Sequence, residues 1–374
     1  MPESDRAPPR RLFIATPGFE SALAAELSAT PFPGPPHVGL AGIVETAEPP
    51  PGTGAADPVF ARQQLPAAAL IQASSIAALA EAAYARIEGA VDRAGGPFTL
   101  HAFVPTGEGP ALGSRAALVA EETLNRLRER RRRAARSYRP AGEAATAFGD
   151  IRVLIQILMV DRDRAWVSAA APRALSAGGW DLAPWPGGTA PVADDRRPPS
   201  RAYRKLEEAF LWMADEPAAG ATCVDLGGAP GGWSYTALRR GARVTAVDRA
   251  PLEPPVLGHP RLRMIEGNAF THEPAPGEAP VDWLLSDIIC EPARALALCD
   301  RWVSRGWCRR LVATVKFKGQ SDYGMLAEVR ETLRRAACPR LRIKHLHHNK
   351  NEVTVMAATS LADREQEKPP RPRI

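Results

Sequence analysis

From residue 221 onward one pattern repeats along the chain: a short apolar run that reads as a strand, then, after several of these runs, a stretch with helical spacing. The runs are Ala221–Leu226, Arg243–Asp248, Arg261–Glu266, Trp283–Asp287 and Leu311–Lys316, with helices expected after the first, fourth and fifth. A tight turn cannot join parallel neighbours, so this alternation predicts a parallel, doubly wound sheet. Leu341–Leu346 and Val353–Ala358, joined by a short polar loop, read as an antiparallel pair that closes it.

The chain has 374 residues, 45% of them hydrophobic, which is enough for a second core ahead of this one. Residues 1–181 read as an α+β domain with strands at Arg11–Thr16, Gly42–Thr46 and Thr99–Val104. Its helices are expected at Glu20–Ser28, the alanine-rich Ala67–Ala94 and the long Ser114–Arg136, and Ile151–Val160 with Ala165–Ala169 reads as a hairpin. Residues 182–199 (LAPWPGGTAPVADDRRPP) have no periodicity and read as a linker, leaving 200–362 as the second domain. The charged, proline-bearing tail 363–374 is expected to be disordered.

Lys and Arg number 48 against 42 Asp and Glu, a net charge of +6 that agrees with a polyanionic partner but is small for this length. The densest basic run, Arg126–Arg139 (RLRERRRRAARSYR), reads either as a phosphate-tracking surface or as a solvated helix face. Tyr138, Trp180 and Trp185 read as base-stacking groups or, more commonly, as buried aromatics. The cysteines at 223, 290, 299, 308 and 338 are odd in number and form no CxxC pair, which predicts reduced thiols and no metal site. No run of eighteen apolar residues exists and the start is charged, so a soluble, cytoplasmic protein away from membranes is expected.

Asp225–Trp233 (DLGGAPGGW) stands where the first strand of the doubly wound sheet meets its first helix, the edge at which such sheets bind ligands. Gly227, Gly228, Gly231 and Gly232 clear side chains from the path of a ligand. The spacing departs from G-x-G-x-x-G, which disfavours a nicotinamide dinucleotide. Asp248, ending the second strand twenty residues after Gly228, is placed to accept the ribose hydroxyls of an adenosine. Lys205 in SRAYRKLEEAF, Asp287, Lys316 and Glu352 form a second set, and all but Lys205 lie at strand ends. Charges ending apolar strands are costly unless they face a cleft and pair, and Glu352 reaches the same cleft only if its strand runs antiparallel. Lys318 is an alternative to Lys316, while His345, His347 and His348 lack carboxylates at ligand spacing and read as strand-end histidines.

Together DLGGAPGGW, SRAYRKLEEAF, SDII, VKFKG and NEVTV resemble the FtsJ-type 2′-O-ribose methyltransferases. Within that group PGFE (Pro17–Glu20), AAEL (Ala24–Leu27), FARQ (Phe60–Gln63) and KLEEAF (Lys205–Phe210) are most similar to the bacterial RlmM family, which methylates a cytidine ribose of 23S ribosomal RNA. The resemblance covers roughly the last 165 residues strongly, and residues 31–180 only in isolated words. It implies a Rossmann-like S-adenosylmethionine-dependent methyltransferase domain behind an α+β, THUMP-like RNA-binding region. It also implies a monomer without metal, acting on 23S RNA before full subunit assembly.

By the same resemblance Lys205, Asp287, Lys316 and Glu352 are the catalytic tetrad, with Lys316 as proton acceptor. The cofactor falls to Ser200, Asp225, Gly227, Ala229, Pro230, Gly231, Gly232, Trp233, Asp248, Asn268 and Asp287. Asn268 departs from the family's usual Asp, yet an amide still hydrogen-bonds adenine. A lysine base must be available neutral, a condition that burial and the second cation Lys205 favour. Ser286-Asp287-Ile288-Ile289 stands where a base methyltransferase carries Asn/Asp-Pro-Pro-aromatic. Transfer RNA or a messenger cap as substrate, a silent assembly factor and an oxidoreductase are the competing readings.

Overall fold

The computed structural model describes residues 9–30, 32–319, 323–336 and 338–362, and these divide into two compact units. The tail expected to be disordered, 363–374, and part of the loop after Lys318 lie outside the described residues. No helix among the described residues is long and apolar enough to cross a membrane. All five cysteines are free, four of them buried.

The first unit comprises residues up to Leu175 together with Trp180–Thr189. Its strands are β1 (Arg10–Ile14), β2 (His37–Val38), β3 (Ile43–Ala47), β4 (Gln63–Gln72), β5 (Phe98–Phe103), β6 (Val153–Met159) and β7 (Arg164–Ala170). They form one sheet in the order β2-β3-β1-β4-β7-β6-β5, in which only β5 and β6 pair in parallel. The helices are α1 (Glu20–Ser28), α2 (Ile76–Ala94), α3 (Pro110–Arg130), α4 (Arg132–Ala135) and α5 (Ala141–Thr146). Leu79, Ile87 and Val91 of α2 and Val119 and Leu127 of α3 pack with Ile155 and Ile157 of β6 on one face, at the i, i+4 spacing of amphipathic helices.

The alanine-rich stretch departs from expectation, because residues 63–72 form a strand and the helix starts only at Ile76. Alanine's helix preference is a weak prior, and here β1 and β7 offer ladder partners on both sides of a strand that carries Pro66. The proline is absorbed by a bulge: register slips beside β1, and Ala67 sits at φ 48° with its N–H on Glu48 Oε2 at 2.7 Å. Ser75 then caps α2 through the Ala78 N–H at 3.1 Å. The expected long helix breaks at Arg131 into α3 and α4.

The words that carried the closer family resemblance are clamps. Glu20 accepts the Gly18 and Gly42 N–H groups at 2.8 and 2.6 Å, and Glu26 those of Val59 and Phe60 at 2.8 and 3.2 Å. Gln63 exchanges two amide hydrogen bonds of 3.0 Å with the Ala183 backbone. Residues 182–199 are therefore no free spacer. Leu182 joins the core cluster of Phe148 and Leu154, residues to Thr189 belong to the first unit, and those from Ala190 belong to the second. Trp185 is buried, Trp180 meets Phe148 edge-on, and Tyr138 leans on Phe98, so these aromatics are packing groups.

The second unit comprises Ser176–Gly179 and residues from Ala190 onward. It contains α6 (Tyr203–Met213), β8 (Thr222–Leu226), α7 (Gly232–Arg239), β9 (Arg243–Asp248), α8 (Pro254–Leu257), β10 (Leu262–Glu266) and β11 (Val281–Ser286). It continues with α9 (Pro292–Ser304), β12 (Cys308–Lys316), α10 (Met325–Arg335), β13 (Arg340–Lys344) and β14 (Glu352–Ala358). The sheet order is β10-β9-β8-β11-β12-β14-β13, parallel except at β14, which is antiparallel to both β12 and β13. Strand order reverses between β8 and β11, so the loops after these two strands diverge and open a crevice at the carboxyl edge.

Candidate active site

The loop after β8 is shaped by what its glycines exclude. Gly227 has φ 75°, and a Cβ there would stand 2.2 Å from Ile288 Cγ1 in the loop after β11. Gly231, at φ 116°, caps α7, and a Cβ on Gly232 would meet Ser200 Oγ at 2.5 Å. Asp248 Oδ2 accepts the Ala229 N–H at 3.1 Å and Oδ1 that of Ala250 at 3.0 Å, so β9 fixes the loop while each oxygen keeps lone pairs for a further donor. Pro230 accepts the Glu253 N–H at 2.9 Å through its carbonyl.

Asp225 lies under the loop, 1% exposed, with Oδ2 accepting from Ser234 Oγ at 2.7 Å. Burial pushes its carboxyl up to about 7, against the Ser234 hydroxyl and with the help of the Asp287 and Asp248 charges. Trp233 is buried and donates its indole N–H to the Ala202 carbonyl at 2.9 Å, joining α7 to the start of α6. Both side chains brace the loop from within. Asn268 follows β10, beside Asp248, and its Oδ1 accepts the Phe270 N–H at 3.1 Å within its own turn.

The four separated charges converge beside this loop. Lys205 Nζ stands 3.2 Å from both carboxylate oxygens of Asp287 and 2.7 Å from Glu352 Oε1. Lys316 Nζ donates to Asp287 Oδ1 at 2.7 Å and to the Asp287 carbonyl at 2.6 Å, and lies 3.9 Å from Glu352 Oε2. The register that brings Glu352 here is the antiparallel one, pairing it with Lys316 across β12 and β14. Burial works against the charge on Lys205, but Asp287 and Glu352 outweigh it and raise its pKa, holding it as a cation. Lys318 points elsewhere, 79% exposed and paired with Glu291 at 2.5 Å.

Two groups in this network escaped the sequence reading. Thr314 Oγ1 donates to Asp287 Oδ1 at 2.6 Å, and the signal was its place two residues before Lys316, on the same face of β12. Glu208, fully buried on α6, accepts from the turn that leads to Glu352, and nothing local in KLEEAF marks it as buried. Two of the three histidines have protein partners on their rings: His345 Nε2 bonds the Lys350 carbonyl at 2.7 Å, and His348 Nδ1 bonds Glu208 at 2.8 Å. No group of three or more His, Cys, Asp or Glu side chains among the described residues is arranged to hold a metal ion.

An FtsJ-like methyltransferase family profile matches residues 198–304, spanning α6, the glycine loop and Asp287. A ribosomal RNA large subunit methyltransferase M from Thauera aminoaromatica is 30% identical over 372 residues, covering 90% of this chain and 92% of the relative. The chain belongs to the ribosomal RNA large subunit methyltransferase M family. Other members agree over shorter stretches: that of Pseudomonas syringae pv. syringae is 38% identical over 46% of this chain and 50% of its own length. That of Aromatoleum aromaticum is 33% identical over 54% of each. The profile match thus takes in the glycine loop and two of the four converged charges, Lys205 and Asp287.

A ligand of the adenosine class fits the crevice on two observations. Ser200 Oγ is buried and has no hydrogen-bond partner among the described residues, and it faces the loop where Gly232 leaves room. Asp248, held by the Ala229 and Ala250 N–H groups, keeps lone pairs for further donors such as ribose hydroxyls.

Proposed function

We propose that the chain transfers a methyl group from S-adenosylmethionine to the 2′-hydroxyl of a cytidine ribose in 23S ribosomal RNA. The observation that carries this reading is the pair Lys205 and Lys316 held on one carboxylate, Asp287, at the mouth of the glycine crevice. S-adenosylmethionine supplies an electrophilic methyl group on a sulfonium. Asp248 would take the ribose hydroxyls of its adenosine, Asn268 its adenine, and Asp287 and the loop backbone its amino-acid end.

A ribose hydroxyl is a poor acid, so the chain's own residues must remove a proton from it as the oxygen attacks. Lys316, partly exposed, hydrogen-bonded to one carboxylate oxygen and one carbonyl and 3.9 Å from Glu352, is the group that as the neutral amine takes it. Lys205, kept cationic by two carboxylates, orients Asp287 and Glu352 and balances their charge. Thr314 fixes the Asp287 rotamer from beneath. RNA contact is assigned to the first unit, through Arg132, Arg133 and Arg136, which are exposed and have no acidic partner among the described residues.

The test is to incubate the protein and labelled S-adenosylmethionine with protein-free ribosomal RNA, transfer RNA and assembled large subunits. Label in protein-free 23S RNA, weaker in the assembled subunit, is expected. Label on transfer RNA alone would move the substrate, and no label on any RNA would leave a silent RNA-binding factor.

A further inference from the structure

Beyond the four converged charges, we infer that Glu208 is a positioning residue that locks Glu352 and Lys205 into register with each other. The inference rests on the methyl-transfer reading and assigns the part of the fold that sets its geometry. Glu208 is 0% exposed, and a carboxylate there is tolerable only if donors surround it. Oε1 accepts the His347 backbone N–H at 2.8 Å and the Trp212 indole N–H at 3.4 Å. Oε2 accepts the His348 backbone N–H at 3.0 Å and bonds His348 Nδ1 at 2.8 Å. Two successive N–H groups aimed at one anion form a backbone nest, and charge-assisted bonds of this kind are stiffer than neutral ones.

The nest opens the turn that delivers Glu352. From His347 the chain runs through Asn349, whose Oδ1 accepts from Leu346 N and Thr354 Oγ1, and Asn351, whose Nδ2 donates to the Phe317 carbonyl at 2.8 Å. Glu352 then meets Lys205 at 2.7 Å. Lys205 is three residues before Glu208 on α6, so both leave the same face of one helix. A closed ring results: Glu208, the turn, Glu352, Lys205 and back along α6. Lys316 comes from β12 and stands outside the ring. Opening the ring at Glu208 therefore shifts Lys205 against the Glu352–Lys316 pair, which the β12–β14 ladder holds together, and leaves the cofactor loop in place.

The experiment compares wild type, Glu208→Gln, Glu352→Ala and the double variant, reading kcat, KM for RNA and equilibrium binding of S-adenosylmethionine. Glu208→Gln turns an amide donor toward the nest; kcat is expected to fall about 10- to 100-fold, the size of a displacement of about 1 Å. Cofactor affinity and KM are expected to stay near wild type, and the double variant to be no worse than Glu352→Ala. If Glu208→Gln fails to fold, His348→Ala, which removes one side-chain bond and leaves both backbone donors, is expected to show the same kcat-only loss in milder form. Full kcat in the folded variant, equal losses of kcat and cofactor binding, or losses that multiply with Glu352→Ala would overturn the role. A wild-type chain that methylates no RNA would instead overturn the functional reading beneath it.

Discussion

The two units treat charge in opposite ways. In the first, Arg126–Arg139 is a dense block in sequence that disperses in space. Arg126 and Arg130 pair with Glu81, and Arg131 with Glu88 and Asp92, all on α2, so three of the block's eight arginines fasten the end of α3 to its neighbour. In the second, Lys205, Asp287, Lys316 and Glu352 are scattered over 148 positions and meet within 3.9 Å. Contiguous charge on a helix fans out every 100° and finds exposed partners worth little, whereas charges at the ends of neighbouring strands have one cleft to share. Spacing along secondary structure, and not density along the chain, is what marks a site.

That contrast is sharpened most by Lys316→Ala, which should lower the single-turnover rate on the order of 10³-fold while equilibrium cofactor binding stays within about twofold. A loss divided between rate and binding would mean that Lys316 holds the cofactor and Lys318 deserves the test next.

Titration should also separate the units. His101 is buried in the first with neither ring nitrogen hydrogen-bonded among the described residues, and burial holds its pKa down at about 4 against 6.5. As pH falls from 6.5 to 4 the unfolded chain takes the proton first, so stability is lost over that window, up to about 3 kcal/mol. Asp225 in the second unit is raised by burial to about 7 against 3.8, so its native form keeps a proton that the unfolded chain releases. Stability there is fullest below 3.8 and is lost as pH rises to 7, up to about 4 kcal/mol. Urea titrations read by amide exchange in each unit should show opposed slopes between pH 4 and 6.5, flattened by His101→Leu and Asp225→Asn respectively. Parallel slopes would contradict the assignment.

Gly227→Ala should weaken cofactor binding about 10- to 100-fold, as expected for strain of about 1–3 kcal/mol, because the Cβ meets Ile288 and the backbone is left-handed. Gly220→Ala, at φ 82° in open space, should cost stability alone. The smallest effect concerns the arginines. Arg132, Arg133 and Arg136 changed to Gln should weaken RNA binding about tenfold and flatten its salt dependence, while the same change at Arg126, Arg130 and Arg131 should lower the melting temperature and spare RNA. The reverse outcome would assign RNA to the paired face.

Much of the second unit could be read from sequence because its central strands are buried on both faces and end in charged residues: Asp248, Asp287 and Lys316 sit at or just past strand ends as expected. What escaped depended on partners distant in the chain. β4 took its conformation from β1 and β7, against its own alanines. Residues 182–189 read as linker because their order comes from the Gln63 side chain, about 120 positions earlier. Glu208 carries no local signal of burial, and a turn 139 residues away meets it.

On the proposed reading, the two lysines on Asp287 serve a ribose hydroxyl. That role is tested most directly by digesting the labelled 23S RNA to nucleosides and locating the methyl group by mass spectrometry, for wild type and Lys316→Ala side by side. A single 2′-O-methylcytidine that disappears in the variant is expected. A methyl group on a base, or a ribose methyl that persists in Lys316→Ala, would contradict it.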